Sequence, residues 1–114
     1  MSRQASGLRA WVFQRATAVY LLLFFPYLMA VLAAPPEGYE GWVAWLGGPW
    51  VSIAFLLFVA ALLMHVWVGV RDAVIDYVHP IGARVTVLTL LAFGLFACGI
   101  WALKVVVLAR TMSA

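Results

Sequence analysis

The sequence predicts an all-α integral membrane protein with three transmembrane helices, its N-terminus cytoplasmic and its C-terminus periplasmic. Three observations lead there. The first is composition. Of the 114 residues, 68% are hydrophobic and 10% charged, and the mean hydropathy is +1.10. A soluble domain carries about 25% charged residues, and a chain this short has too much surface for its volume to hide so many apolar side chains from water. The second is that the apolar residues gather in three runs. Each approaches the roughly 20 residues with which a helix, rising 1.5 Å per residue, crosses a hydrocarbon core of about 30 Å. The third is charge placement. Arg3, Arg9 and Arg15 precede the first run, and Arg71 and Arg84 flank the connection after the second. With three spans these lie on one side, facing Lys104 and Arg110 on the other, and basic loops stay cytoplasmic.

The first span is expected over 16–34, "ATAVYLLLFFPYLMAVLAA", which holds no charge. Pro26 lies in its middle and should bend it. Basic residues followed by an apolar stretch ending in "VLAA" resemble a cleavable signal, but the stretch exceeds the usual length of about 7–15 residues. Two further spans follow, so a retained helix is expected. The connection 35–49, "PPEGYEGWVAWLGGP", is rich in Pro and Gly and carries Glu37 and Glu40. The second span, 50–70, is interrupted only by Ser52 and His65. The connection 71–84 is polar, and Pro80 stops any helix running through it. The third span, 85–103, contains Gly94 and Cys98, a small-xxx-small pair that reads as helix packing. Trp42, Trp45, Trp50 and Trp101 fall at the outer level and Trp11 at the inner one, as interfacial aromatics do.

Several classes are excluded. The runs lack the period-2 alternation of membrane strands, and too few segments exist to close a barrel. The net charge of +3 is spread over the ends of the runs, which sets orientation and does not build a nucleic-acid surface. Cys98 is the single cysteine, so neither an intrachain disulfide nor a cysteine-based metal site is possible. No phosphate loop, nucleophilic triad or zinc pattern occurs. Residues 1–114 read as one membrane domain with no repeat, linker or soluble unit.

One stretch concentrates ionisable chemistry: 63–80, "LMHVWVGVRDAVIDYVHP". At about 100° per residue, His65, Gly69, Asp72 and Asp76 fall on one stripe of a helix. His65 lies within the hydrocarbon, and an ionisable residue there marks a functional site by default. Three chemistries stay open for it: axial ligation of haem iron, a proton relay, or a hydrogen bond to a neighbouring helix. Gly69, one turn away, leaves room for a flat macrocycle or for a close helix. Arg71 lies about 9 Å further toward the inner surface, and Arg15 begins the first span at a similar depth. Their guanidinium groups suit the propionates of an upright haem, or simply snorkel to the interface. His79 is about 21 Å along the helix from His65 and beyond the break at Pro80. It cannot share the same iron, so a second histidine ligand would come from another chain. Tyr77, at the inner boundary, can hydrogen-bond a quinone carbonyl, and Asp76 can orient an arginine or a water that supplies protons. Both also fit an interfacial anchor beside a solvated carboxylate.

Two segments carry a resemblance. "RATAVYLLLFFPY" over 15–27 resembles the start of the first span in the hydrophobic membrane anchor of succinate dehydrogenase, respiratory complex II. "HVWVGVRDAVIDYVHP" over 65–80 resembles that family's H-x3-G-x6-D-Y-x2-P signature. The resemblance implies that His65 is an axial ligand to haem b, shared with a cytochrome b556 subunit. It implies that Tyr77 hydrogen-bonds ubiquinone beside Asp76, and that Arg15 lies near the haem propionates, a place that the depth of Arg71 along the helix suits as well. It further implies a flavoprotein and an iron–sulfur subunit as partners, and a bacterial inner membrane as the location. The chain would then hold no succinate or flavin site and would be no enzyme on its own. The H-x3-G-x-R pattern ending at Arg71 is similar to the sister cytochrome subunit, which stays an alternative together with a fumarate reductase anchor. From other classes, a small proton-coupled transporter using His65 and Asp76, and a ligand-free assembly factor, complete the set. Small multidrug exporters have four spans and a carboxylate in the first, which is absent here.

Overall fold

A computed structural model describes residues 2–113. Four helices follow one another: α1 (Ser2–Ala33), α2 (Gly38–Leu46), α3 (Pro49–Tyr77) and α4 (Ile81–Ser113). No strand occurs among the described residues. Gly7–Ala33 within α1, and all of α3 and α4, are long and apolar enough to cross a membrane. The all-helical, three-span class expected from the sequence is what forms.

The helices outrun the apolar runs. α3 has 29 residues and α4 has 33, and the molecule is 49 Å long, well beyond a hydrocarbon core of about 30 Å. The polar residues after His65 therefore stay on α3 until Tyr77, and Lys104 and Arg110 stay on α4. Local chemistry sets the ends. Pro49 opens α3 at a position where its missing N–H is no loss. Pro80 disfavours helical backbone at His79, and α4 begins at the next residue, Ile81. Pro26 sits inside α1 without breaking it.

The Pro/Gly-rich connection holds an element that the sequence left unassigned. α2 covers Gly38–Leu46 and is entered through Gly38, whose φ of 66° lies in the left-handed region that glycine tolerates. It closes at Gly47, which is buried against α4. A Cβ there would come within 2.5 Å of the Ala109 carbonyl and press on Ser113 Oγ. The Arg110 guanidinium donates to the Gly47 carbonyl at 3.0 Å. These contacts pin the end of α2 to the end of α4.

α3 lies between α1 and α4, which do not pack against each other among the described residues. The inward faces of the outer helices repeat every three to four residues. On α1 they include Ala10, Gln14, Thr17, Leu21, Phe24 and Leu28; on α4, Leu88, Leu91, Leu95, Gly99, Ala102 and Val106. This 3–4 spacing is that of helices crossing at a shallow angle. Phe24 stacks on Phe58 of α3 at 4.8 Å, and Tyr20 donates to the Ala54 carbonyl at 2.6 Å. On the other side, a Cβ on Gly99 would lie 3.1 Å from Leu63 Cδ1, so the Leu63 side chain packs into the space that Gly99 leaves.

Gly94 and Cys98 do not make this contact, contrary to expectation. Both are exposed, and a Cβ on Gly94 would meet nothing within 4 Å. They sit one residue before Leu95 and Gly99, hence about 100° around the helix, and face away from α3. Large apolar side chains such as Leu22, Leu23, Phe93 and Phe96 also face outward, on surfaces that lipid or another apolar chain must cover.

Candidate functional site

A polar contact between side chains of two helices joins Thr17 of α1 to His65 of α3. Thr17 is buried at 8% exposure, and its Oγ1 lies 3.1 Å from His65 Nδ1. The same oxygen lies 2.8 Å from the Phe13 carbonyl oxygen and 3.1 Å from that of Gln14, one turn back on α1. A helical threonine satisfies its hydroxyl on such a carbonyl, and here it reaches the imidazole as well.

His65 is half-buried and also lines a groove of about 420 Å³ between α1 and α3. Its walls are apolar: Leu21, Leu22, Phe25 and Pro26 from α1, Phe58 and Leu62 from α3. On the other side of His65, toward the N-terminus of α1, lies a wider cleft of about 910 Å³. It is lined by Arg9, Gln14 and Arg15 of α1 and by Val68, Arg71 and Asp72 of α3. The imidazole thus stands where an apolar groove gives way to a basic cleft. Both volumes fall in the usual range for ligand sites, about 300–1,000 Å³.

The cleft brings together the two arginines expected to share a depth. Arg71 Nε and Nη2 donate to Asp72 Oδ1 at 3.3 and 3.2 Å. A pair this exposed is worth about 0–1 kcal/mol, so it holds Arg71 lightly. Arg15 lies over the Trp11 ring at 5.4 Å. The Arg3 side chain lies outside the described residues. Gln14 Oε1 is buried there without a hydrogen-bond partner, a condition that calls for a donor from elsewhere. Gly69 faces Gln14: a Cβ on it would meet only Gln14 Nε2, at 3.6 Å.

Along the expected stripe, then, His65 lines the apolar groove and Asp72 the basic cleft, with Gly69 between them in sequence. Asp76 and Tyr77 do not join that cluster. Tyr77 is the last residue of α3, about 18 Å along the axis from His65, and is 82% exposed. Asp76 is exposed as well, and so is His79. The corner that carries Tyr77 is nevertheless fixed. Arg84 of α4 donates through Nε to the Val78 carbonyl at 3.0 Å and through Nη2 to the Ile75 carbonyl at 3.0 Å. A side chain thereby satisfies carbonyls that the end of a helix leaves open.

Among the described residues no three His, Cys, Asp or Glu come together as a metal cluster. A lone imidazole between an apolar groove and a basic cleft suits iron carried in a planar ring with one apolar edge and one carboxylate edge. The bare glycine beside it leaves room for such a ring. Thr17 and Gln14 are not singled out by residue order. Their signal is their place on the 3–4 stripe of α1.

Residues 1–97 match the protein family described as the succinate dehydrogenase/fumarate reductase transmembrane subunit. The chain is also similar to the succinate dehydrogenase hydrophobic membrane anchor subunit of Coxiella burnetii (strain RSA 493 / Nine Mile phase I). The two are 28% identical over 105 residues, 91% of either chain.

Proposed function

The chain belongs to the succinate dehydrogenase/fumarate reductase transmembrane subunit family, and on that premise we propose that it is the hydrophobic membrane anchor of a bacterial succinate:ubiquinone oxidoreductase. It crosses the inner membrane three times, with its N-terminus cytoplasmic, where Arg3, Arg9, Arg15, Arg71 and Arg84 gather. It holds a flavoprotein and an iron–sulfur subunit at the membrane and shares a haem b with a cytochrome b556 subunit. The observation that carries this reading is the position of His65, in an apolar groove about one helical turn from Val68, Arg71 and Asp72 of the basic cleft.

In this reading His65 would hold the haem iron through an imidazole nitrogen. The second ligand comes from the partner, since His79 lies in the corner after the end of α3, too far along the chain to reach the same iron. Leu21, Leu22, Phe25 and Leu62 exclude water from the groove. Arg15 and Arg71 meet propionate carboxylates through charge-assisted hydrogen bonds, and Gln14 adds a neutral polar contact. Haem b, when bound, supplies a one-electron store close to the quinone. Tyr77 donates its phenolic proton to a quinone carbonyl, and Asp76 positions a cation or water beside it. Both side chains are exposed on this chain alone, so a partner chain closes the quinone pocket over them.

The test is a reduced-minus-oxidised spectrum of the complex purified with its partners. Wild type should show a b-type haem band and His65→Ala should lose it. A band unchanged in His65→Ala removes His65 as ligand. Tyr77→Phe should slow quinone reduction by an order of magnitude or more, on the order of one lost hydrogen bond to a charged or developing-charge group, with haem content intact. Unchanged quinone kinetics remove Tyr77 from the site.

A further inference from the structure

The three oxygen and nitrogen neighbours of the Thr17 hydroxyl fix a proton on His65. A hydroxyl has one proton to give and lone pairs to receive with. Its neighbours are the carbonyl oxygens of Phe13 at 2.8 Å and Gln14 at 3.1 Å, and His65 Nδ1 at 3.1 Å. The carbonyls have no proton. Were the Thr17 hydrogen aimed at Nδ1, the hydroxyl oxygen would face both carbonyl oxygens at hydrogen-bond distance with nothing between them. With the hydrogen shared between the two carbonyls, chiefly on the shorter contact to Phe13, as three-centre bonds in helices allow, the hydroxyl accepts from Nδ1–H and no contact is left without a proton. Burial of Thr17 keeps water from supplying a substitute partner.

We infer that Thr17 is a positioning residue which holds His65 in the Nδ1–H tautomer and so leaves the Nε2 lone pair as the free donor. A free neutral imidazole has no such strong commitment, and its tautomer follows whichever nitrogen finds a hydrogen bond. Thr17 makes that choice before any ligand arrives. It also fixes the plane of the ring, and a hydrogen bond accepted from Nδ1–H makes Nε2 a better electron donor. The tautomer stands on the geometry of this chain. Its consequence for iron rests on the function proposed above.

The two parts separate experimentally. The full-length chain, labelled with ¹⁵N-histidine and purified in detergent without haem, carries two histidines, and His79→Gln assigns the His65 signals. The ¹⁵N shifts of wild type should show Nδ1 protonated and Nε2 bare at neutral pH, and Thr17→Ser should preserve the pattern. Thr17→Val, nearly the same in shape, should shift the ring toward the Nε2–H form or a mixture. A protonated Nε2 in wild type, or an unchanged pattern in Thr17→Val, overturns the inference whatever the chain binds. In the assembled complex, Thr17→Val should retain haem yet raise its midpoint potential and shift its low-spin EPR g-values, with Thr17→Ser restoring both. Identical potential and g-values in Thr17→Val, in a complex where His65→Ala abolishes the haem band, overturn the role toward iron while the function stands. Retention of the band in His65→Ala instead defeats the function and leaves the shift experiment to judge the tautomer.

Discussion

The two faces of α3 are built on different chemistry. Toward α1 the contacts are polar: Tyr20 donates to the Ala54 carbonyl, Thr17 meets His65, and Gln14 approaches Gly69. Toward α4 they are apolar and small, with Gly99 against Leu63 and the buried Val106 and Ala109 further along. Lipid tails are as apolar as leucine, so neither face gains from escaping the surroundings. Within the spans the α4 side is held by close packing, with Arg84 adding hydrogen bonds only at the corner. The α1 side places hydroxyl, amide and imidazole groups at membrane depth, where they are costly and where they usually mark function. A helix with one face of each kind can divide its work, and in the function proposed above the α4 side assembles while the α1 side meets the haem.

That division can be broken or sharpened by substitution. The largest effect is expected at Gly69. A Cβ there meets only the Gln14 amide, and leucine favours a helix over glycine by about 0.5–1 kcal/mol, so the chain should fold and assemble as before. The added side chain enters the space between His65 and the basic cleft, and haem content should fall to a minor fraction of wild type in reduced-minus-oxidised spectra. Full haem content in Gly69→Leu would mean that the α1 face of α3 is a packing surface like the other. A smaller effect follows at Gly99. Valine would crowd Leu63, at an overpacking cost of about 1–3 kcal/mol, visible as a lower midpoint in thermal denaturation of the purified complex. The haem that remains should keep its wild-type spectrum; an altered spectrum would extend the reactive side across α3. The smallest effect belongs to Tyr20→Phe. It removes one interhelical hydrogen bond, worth about 0.6 kcal/mol in a membrane, and leaves the Phe24–Phe58 stack in place. Its denaturation midpoint should barely move.

Much of this division could be read from residue order, and some of it could not. Three apolar runs announced three membrane-crossing helices, because no soluble fold of this size accommodates them. His65 declared itself as an ionisable group inside one run. Thr17 did not, since a threonine in an apolar run is unremarkable until the helix face it occupies is known. Gly94 and Cys98 misled for the same reason. Small-residue spacing is shared by every face of α4 that carries it, and only the rotation of the helix shows that Gly99 is the residue against α3. α2 stayed hidden because Gly38 and Gly41 weaken its local helical preference; its end is tied down by Ala109, Arg110 and Ser113, more than sixty residues away in sequence. The roles of Asp76 and Tyr77 rest on their place in the motif, for on this chain both face outward.

The grip of Arg84 on the last turn of α3 has a consequence for how the partners meet. Two guanidinium hydrogen bonds reach across the bend to the Ile75 and Val78 carbonyls, so the hinge between consecutive helices is stiff before anything docks. Ordering a loose loop would weaken any encounter by the freedom it removes. Here Tyr77 is offered from a ready-made ledge, and an arriving protein has only to fit its shape.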